Sequence, residues 1–304
     1  MISVITPNFN GERWLNECLE SVASQSLPQN KVEMLFIDDG STDGSRSIVD
    51  SYRHDIPGLK TVWHEHTGNP GRLRNIGLER AIGDYVLFLD SDDYLGVESL
   101  ERLTEFSETA PSDVIAFQLE GLDRNVPKSM LKETVVDADI VTSGIYKSLG
   151  TWKMCKREYL NSIPLRFEMN QRRGEDALFF SEAMLRAKSI SILSGYPFYT
   201  LRGREDGSSI TQKEWDPKER IKLAEKLAKI AVNYAANENI TDHFLIRVFN
   251  TEALGVIDNS TVTSDDIVVL KQTLKPYWND RVKRLVYSDE ARDRLSDFFE
   301  GSSV

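Results

Sequence analysis

Tyr85-Val86-Leu87-Phe88-Leu89-Asp90-Ser91-Asp92-Asp93 is the stretch that decides the fold. Five apolar residues lead into three carboxylates. The apolar run is too short for a helix and rich in strand formers, so it reads as a strand buried on both faces of a parallel sheet. The acids then fall at the strand's carboxyl end, where open α/β sheets bind ligands. Carboxylates this close repel one another, and a hard divalent ion with oxygen ligands would relieve them. A plainer reading is that Asp92 and Asp93 only cap a helix starting near Val97.

Working outward, strand and helix alternate. Ile2 to Thr6 is a short strand closed by Pro7, followed by an Asn8-Asn10-Gly11 turn and a helix from Trp14 to Ser24. Val32 to Ile37 is a second strand, entering the turn-forming loop Asp38-Asp39-Gly40-Ser41-Thr42-Asp43-Gly44. A helix from Ser45 to Tyr52, a strand from Leu59 to Trp63, a Gly/Pro loop and a helix from Arg72 to Ala81 lead to the central strand. Beyond it come a helix at 97–107, a strand at 113–119, less regular sequence at 120–150, a strand at Trp152 to Cys155 and a helix from Gly174 to Ala187. Short strands at Ser189 to Leu193 and Phe198 to Leu201 follow. The alternation predicts an α/β fold with a mostly parallel, Rossmann-like sheet. From Trp215 the texture is helical, with segments at Lys218 to Ala236, 240–257, 264–276 and 288–299. A boundary near residue 212 therefore divides domain 1–212 from a small helical domain, 213–304.

Composition narrows the function. The 304 residues carry a net charge of −11, which disfavours nucleic acid and anionic lipid as partners. The charge is uneven: residues 141–230 hold 17 Lys/Arg against 11 Asp/Glu. Such a basic segment could face an anionic partner, and a solvated helix face explains it equally well. Two cysteines, Cys18 and Cys155, form no disulfide framework, which suits a reducing compartment. No apolar run reaches the length of a membrane span, and the first residues lack a basic leader. The expected location is cytoplasmic, with contact at the inner face of the membrane left open.

The chemistry gathers at strand ends. Asp38/Asp39 and Asp90/Asp92/Asp93 open on one sheet edge, where one carboxylate set can accept from a ribose or base and the other can hold a metal against a diphosphate. Between them, Gly68-Asn69-Pro70-Gly71-Arg72-Leu73-Arg74-Asn75 permits close backbone approach and points a helix start and two arginines at an anion. No G-x-G-x-x-G follows the first strand and no Walker motif is present, so dinucleotide and P-loop readings fall away. His64-Glu65-His66 reads as a loop feature, Cys18 as core, and Trp152 and Tyr146 as core packing or sugar-stacking groups.

Thr6-Pro7-Asn8-Phe9-Asn10, Asp38 to Asp43, Arg74-Asn75-Ile76-Gly77, Asp90-Ser91-Asp92-Asp93 and Gly174-Glu175-Asp176 together resemble the family 2 glycosyltransferases of GT-A fold over about residues 1–210. The stretch Gly121 to Thr134, with Gly174 to Phe179 and Ile190 to Ser194, is similar to the wall-teichoic-acid N-acetylglucosaminyltransferases of Gram-positive bacteria. The resemblance implies a UDP-sugar donor and Mn²⁺ or Mg²⁺. It implies a donor site of Pro7, Asn8, Asp38, Asp39, Arg72, Arg74, Asn75, Asp90, Ser91, Ser208 and Ser209, with Asp39 on uracil and Asp90 by the ribose. Asp92 and Asp206 would be the metal ligands, Asp206 standing where such enzymes often have a His. Asp176 would be the base of an inverting transfer to a polymeric acceptor, an anionic polyol phosphate or other glycan. The C-terminal helices are expected to serve oligomerisation or acceptor contact.

Other readings use the same residues: a capsule or exopolysaccharide transferase, a nucleotidyltransferase, or a non-catalytic sugar-nucleotide binder. A nucleotidyltransferase would carry a Gly-rich basic loop where Pro7-Asn8-Phe9-Asn10 stands. Acids at every expected position count against a mere binder.

Overall fold

The computed structural model describes residues 1–127, 129–203 and 214–301. The described chain forms two compact units: Met1–Phe179 with the strands after residue 187, and Phe180–Arg186 with the helices from Pro217 onward.

In the first unit the elements run β1 (Ile2–Asn8), α1 (Glu12–Ala23), β2 (Val32–Asp38), α2 (Ser45–Ser51), β3 (Leu59–Trp63), α3 (Pro70–Arg80), β4 (Tyr85–Phe88), β5 (Tyr94–Leu95) and α4 (Ser99–Thr109). They continue as β6 (Val114–Phe117), β7 (Leu119–Leu122), β8 (Lys153–Lys156), α5 (Arg157–Ser162), α6 (Glu175–Arg186), β9 (Ile190–Leu193) and β10 (Tyr199–Arg202). Seven strands form one sheet in the order β3-β2-β1-β4-β8-β6-β9, and β5-β10-β7 form a second. In the large sheet only β8 runs antiparallel to its neighbours, β4 and β6. The expected mostly parallel sheet is found. The central strand and β2 are buried along their whole length, as continuous apolar runs require.

Two local expectations change. Pro7 does not close β1, which continues to Asn8 in register with Asp38. Pairing of β1 with β4 ends at Ile5–Phe88, before Pro7, so the missing amide falls beyond that ladder. Helix α4 starts at Ser99 with Glu98 at its cap position, so Asp92 and Asp93 do not cap it. Helix α5 and strand β5 were not foreseen; at six and two residues they are too short for periodicity to register.

Helix α3 fixes the site from below. Asn69 caps it by accepting from Arg72 N at 3.1 Å, and Pro70 fills the first turn, where no amide partner is needed. Its middle lies close on β1: a Cβ at Gly77 would sit 2.4 Å from Ile5 Cγ2.

The second unit adds α7 (Pro217–Tyr234), α8 (Glu238–Arg247), α9 (Leu254–Ile257), α10 (Ser264–Leu274), α11 (Asp280–Arg284) and α12 (Asp289–Glu300). Helix α7 buries Ile221, Ala224, Leu227, Ala228 and Ala231 on one stripe. The expected helix 240–257 forms but is interrupted by a π-helical stretch, Val248–Ala253, around buried Glu252. Arg220 pairs with Glu252 at 3.1 Å, and Phe249, Trp278 and Phe299 close the core.

Gly77→Ala tests the α3–β1 contact. Ile5 is wholly buried and cannot retreat, so overpacking should destabilise the first unit by about 1–3 kcal/mol. Thermal melting checks this; an unchanged Tm would mean that the helix shifts freely.

Candidate active site

The carboxyl ends of β1, β2 and β4 supply the site's floor. Asn8 leaves β1 buried, donating from Nδ2 to Asp38 Oδ2 at 2.8 Å and to Ser41 Oγ at 3.2 Å. Asp38 is 1% exposed and also accepts from Ser41 N at 2.7 Å and Ser41 Oγ at 2.6 Å. Asp39 is 2% exposed. Its oxygens accept from Thr67 N and Oγ1 and from Gly68 N, between 2.8 and 3.1 Å, with His66 Nδ1 3.0 Å away. Both carboxylates therefore tie loops together. Pro7 is buried within β1. His66 also stacks on exposed Phe9 with ring centroids 4.0 Å apart, which leaves the His64-Glu65-His66 run in the loop role expected for it.

The β4 end sorts its three acids. Asp93 is buried, accepting from Tyr199 Oη at 2.9 Å and Arg202 N at 2.8 Å. Burial, then the charges of Asp92 and Asp90, push its carboxyl well above the usual range. Ser91 is buried beside it. Asp92 is half-buried, and its carbonyl accepts from Arg202 Nε at 3.0 Å. Arg202 in turn pairs with Glu17 on α1. Asp90 keeps a third of its side chain exposed and meets Arg74 at 2.8 Å.

Arg74 corrects one expectation. Sequence placed it on the donor's phosphates, but it is turned inward, 5% exposed. Its Nη2 reaches Asp90 and its Nη1 reaches Glu175 Oε1 at 2.7 Å. Burial opposes its charge, yet Asp90 and Glu175 hold its proton more firmly than usual. Asn75 is corrected likewise. Buried, it exchanges two hydrogen bonds with the backbone of Phe167, at 2.9 and 2.8 Å, and so clamps that segment instead of facing a ligand. Arg72 sits in the first turn of α3, half-buried, 3.3 Å from His64 Nε2.

Gly174 turns the chain into α6 with φ of +74°, a conformation that suits glycine. The helix opens with Glu175, buried, and Asp176, half-buried. Burial, then the neighbouring Asp176 charge, raise Glu175 from 4.5 to about 7, against the pull of Arg74. A helix start stabilises negative charge, and both acids lie in the first turn of α6. Tyr146 is buried and Trp152 Nε1 donates to Ser148 Oγ at 2.9 Å, so both belong to the packing. Cys18 is buried, as expected.

Among the described residues no three His, Cys, Asp or Glu side chains gather closely enough to hold a metal by themselves. Asp92 and Asp90 are hard oxygen donors whose mutual repulsion a cation would relieve. That donor set fits Mg²⁺ or Mn²⁺, which is commonly held by one or two carboxylates with substrate phosphates completing the shell. Asp206, Ser208 and Ser209 lie outside the described residues. Sequence reasoning missed Tyr199, Arg202 and Thr67 as organisers of the site. Only Asn69 gave a signal, its place before Pro70 being that of a helix cap.

Arg74→Met leaves Asp90 and Glu175 without their shared cation and should cost about 3–5 kcal/mol, seen as a fall in Tm. Arg74→Lys, a point charge without the guanidinium fork, should fall in between; wild-type melting in both would show the bridge to be inert. Glu175 carries a pH signature. With its folded value raised from 4.5 to about 7, its stabilising contribution is complete below pH 4.5 and is lost as pH rises through 7. Glu175→Gln should flatten this part of the Tm–pH curve; an unchanged slope would assign it to other groups.

The glycosyl transferase family 2 model matches residues 3–185. The chain is 38% identical over 206 residues to the poly(ribitol-phosphate) beta-glucosyltransferase of Bacillus spizizenii, covering 67% of this chain and 32% of that protein. It is 32% identical over 249 residues to the poly(ribitol-phosphate) beta-N-acetylglucosaminyltransferase TarS of Staphylococcus aureus, covering 82% of this chain and 43% of TarS. The chain thus spans less than half the length of these curated relatives. The crystal structure of S. aureus TarS 1–349 in complex with UDP-GlcNAc superposes with a TM-score of 0.85 at 30% identity, covering 98% of this chain and 89% of that one. The expected GT-A fold with C-terminal helices is the fold found. The family model covers more than half the sequence, and the chain belongs to glycosyl transferase family 2.

Proposed function

We propose that the protein transfers a sugar, GlcNAc being the first to test, from a UDP-sugar to a polyol-phosphate polymer of the cell envelope, with inversion at the anomeric carbon. The observation that carries this reading is the Asp90–Arg74–Glu175 bridge. It brings the acids of the β4 end, suited to a nucleotide diphosphate, to the helix start that bears Asp176. Two relatives named as poly(ribitol-phosphate) transferases, and a similar structure solved with UDP-GlcNAc, support the donor and acceptor classes.

In this reading the nucleoside lies over the β1 and β2 ends, on the floor that Asn8, Asp38 and Asp39 hold in shape. Asp39 is the base-reading candidate, acting through its own carboxylate or through the Thr67 and Gly68 amides it orients. Asp90 lies by the ribose. Asp92, with Asp206, would hold Mg²⁺ or Mn²⁺, which when bound neutralises charge on the departing diphosphate. Asp176 accepts the proton of the acceptor hydroxyl as its oxygen bonds to the anomeric carbon. The bond from that carbon to the diphosphate oxygen breaks on the opposite face, and UDP leaves with the electron pair. Arg74, through Glu175, holds the helix start that bears Asp176. Asp93 is sealed by Tyr199 and Arg202 and takes no proton from substrate. The work proceeds in the cytoplasm, and the helices from Pro217 onward serve assembly or acceptor contact.

Asp176→Asn keeps the shape but cannot take a proton. Turnover at saturating donor and acceptor should fall about 10²–10⁴-fold while UDP affinity holds; a loss within threefold would move the base elsewhere. Asp92→Ala should abolish the gain in UDP affinity that Mn²⁺ gives in calorimetry. Retention of the full gain would remove Asp92 from the metal site.

A further inference from the structure

We infer that the outer edge of residues 165–173, which carries Arg166 and Arg172 into the turn before Asp176, is the track on which the acceptor's phosphodiester backbone lies. The inference rests on the proposed transfer to an anionic polymer and says where this chain would grip it.

The segment has two sides. Leu165, Phe167 and Gln171 are buried, whereas Arg166, Met169, Asn170 and Arg172 are exposed. The buried side is anchored at several points. Phe167 stacks on Phe179 with centroids 4.0 Å apart and meets Phe88 edge-on at 5.1 Å. Asn75 holds its backbone from both directions. Asn69 Nδ2 donates to Met169 O at 2.6 Å, and Gln171 Nε2 donates to Arg173 O at 2.9 Å. A surface loop without its own helix or strand is thus fixed to α3, the helix whose Arg74 also holds Glu175 at the start of the helix bearing Asp176.

Its outer side carries surplus positive charge. Arg166 Nη1 donates only to its neighbour's carbonyl, Leu165 O at 2.8 Å, and Arg172 makes no ion pair among the described residues. Several arginines of this unit are paired with acids, Arg53 with Asp50, Arg74 with Asp90 and Glu175, Arg102 with Glu98 and Arg202 with Glu17, while Arg80 and Arg157, like Arg166, donate to backbone carbonyls. In a chain of net charge −11, unmatched guanidiniums held on a fixed loop leading into the candidate base are complementary to a polyanion. A polymer whose hydroxyl reaches Asp176 must lay its neighbouring units over adjacent surface, and this segment leads within four residues of Arg172 into the helix start that bears Asp176. A neutral glycan would gain nothing from it.

The test compares Arg172→Glu and Arg166→Glu/Arg172→Glu with Lys31→Glu. Lys31 lies just before β2, at the amino end of a strand whose carboxyl end faces the site, so it makes the same charge change away from the track. Transfer from UDP-GlcNAc to a poly(ribitol phosphate) chain is measured at low and moderate salt, with UDP affinity measured by calorimetry. The apparent acceptor KM should rise about tenfold in the Arg172 variant and further in the double variant, with a shallower salt dependence. Lys31→Glu should stay within twofold of wild type, and all three should keep their UDP affinity. If wild type uses the polymer and the Arg variants match it within twofold, the track is overturned while the proposed function stands. If wild type uses only neutral glycans, the proposed acceptor falls and the track falls with it.

Discussion

The site depends on one buried guanidinium. Arg74 stands between Asp90, at the end of the central strand, and Glu175, at the start of a helix a hundred residues later. Without a cation, two carboxylates in that space would repel each other and lose their solvation. With it, the donor side and the acceptor side of the proposed reaction are drawn together. Arginine suits the role because its planar fork can reach two carboxylates at once from a single position. The helix that carries Arg74 also presents Asn69 and Asn75 to the 165–173 segment, so one element aligns everything on that side.

A second constraint is the management of negative charge. Asp38, Asp39 and Asp93 are all nearly buried, and the oxygens of each accept hydrogen bonds from the chain: Ser41, the Thr67–Gly68 amides, and Tyr199 with the Arg202 amide. Buried carboxylates of this kind are tolerated only when their acceptors are filled. They give the loops a defined shape and leave Asp90, Asp92 and Asp176 as the acids that retain exposure. The same aspartate-rich sequence thus supplies both the scaffold and the acids proposed to react.

The helical unit uses other means. Its helices other than α9 begin with side-chain caps, at Asp216, Asn237, Thr263, Asn279 and Ser288. Glu252 is buried against Arg220, and a π-helical stretch opens the backbone around it. Polar contacts of this quality specify one packing among several that apolar stripes alone would allow.

Most of the fold was legible in the sequence. Short continuous apolar runs located the strands β1 to β4, and period-3.6 patterns the long helices, to within a few residues, because burial on both faces or on one stripe imposes those patterns directly. The acids at strand ends were legible too, since a parallel sheet puts the carboxyl ends of adjacent strands on one edge. Direction and burial of side chains were not. Whether Arg74 faces a ligand or two carboxylates, whether Asn75 binds a donor or a backbone, and whether Asp93 is sealed depend on partners 16 to 109 residues away. Local sequence carries no record of such contacts. Sequence by itself determined the element order, the family resemblance and the set of acids. Tertiary structure decided which acids are scaffold and which remain open, because desolvation and ion pairing act only once distant segments pack together.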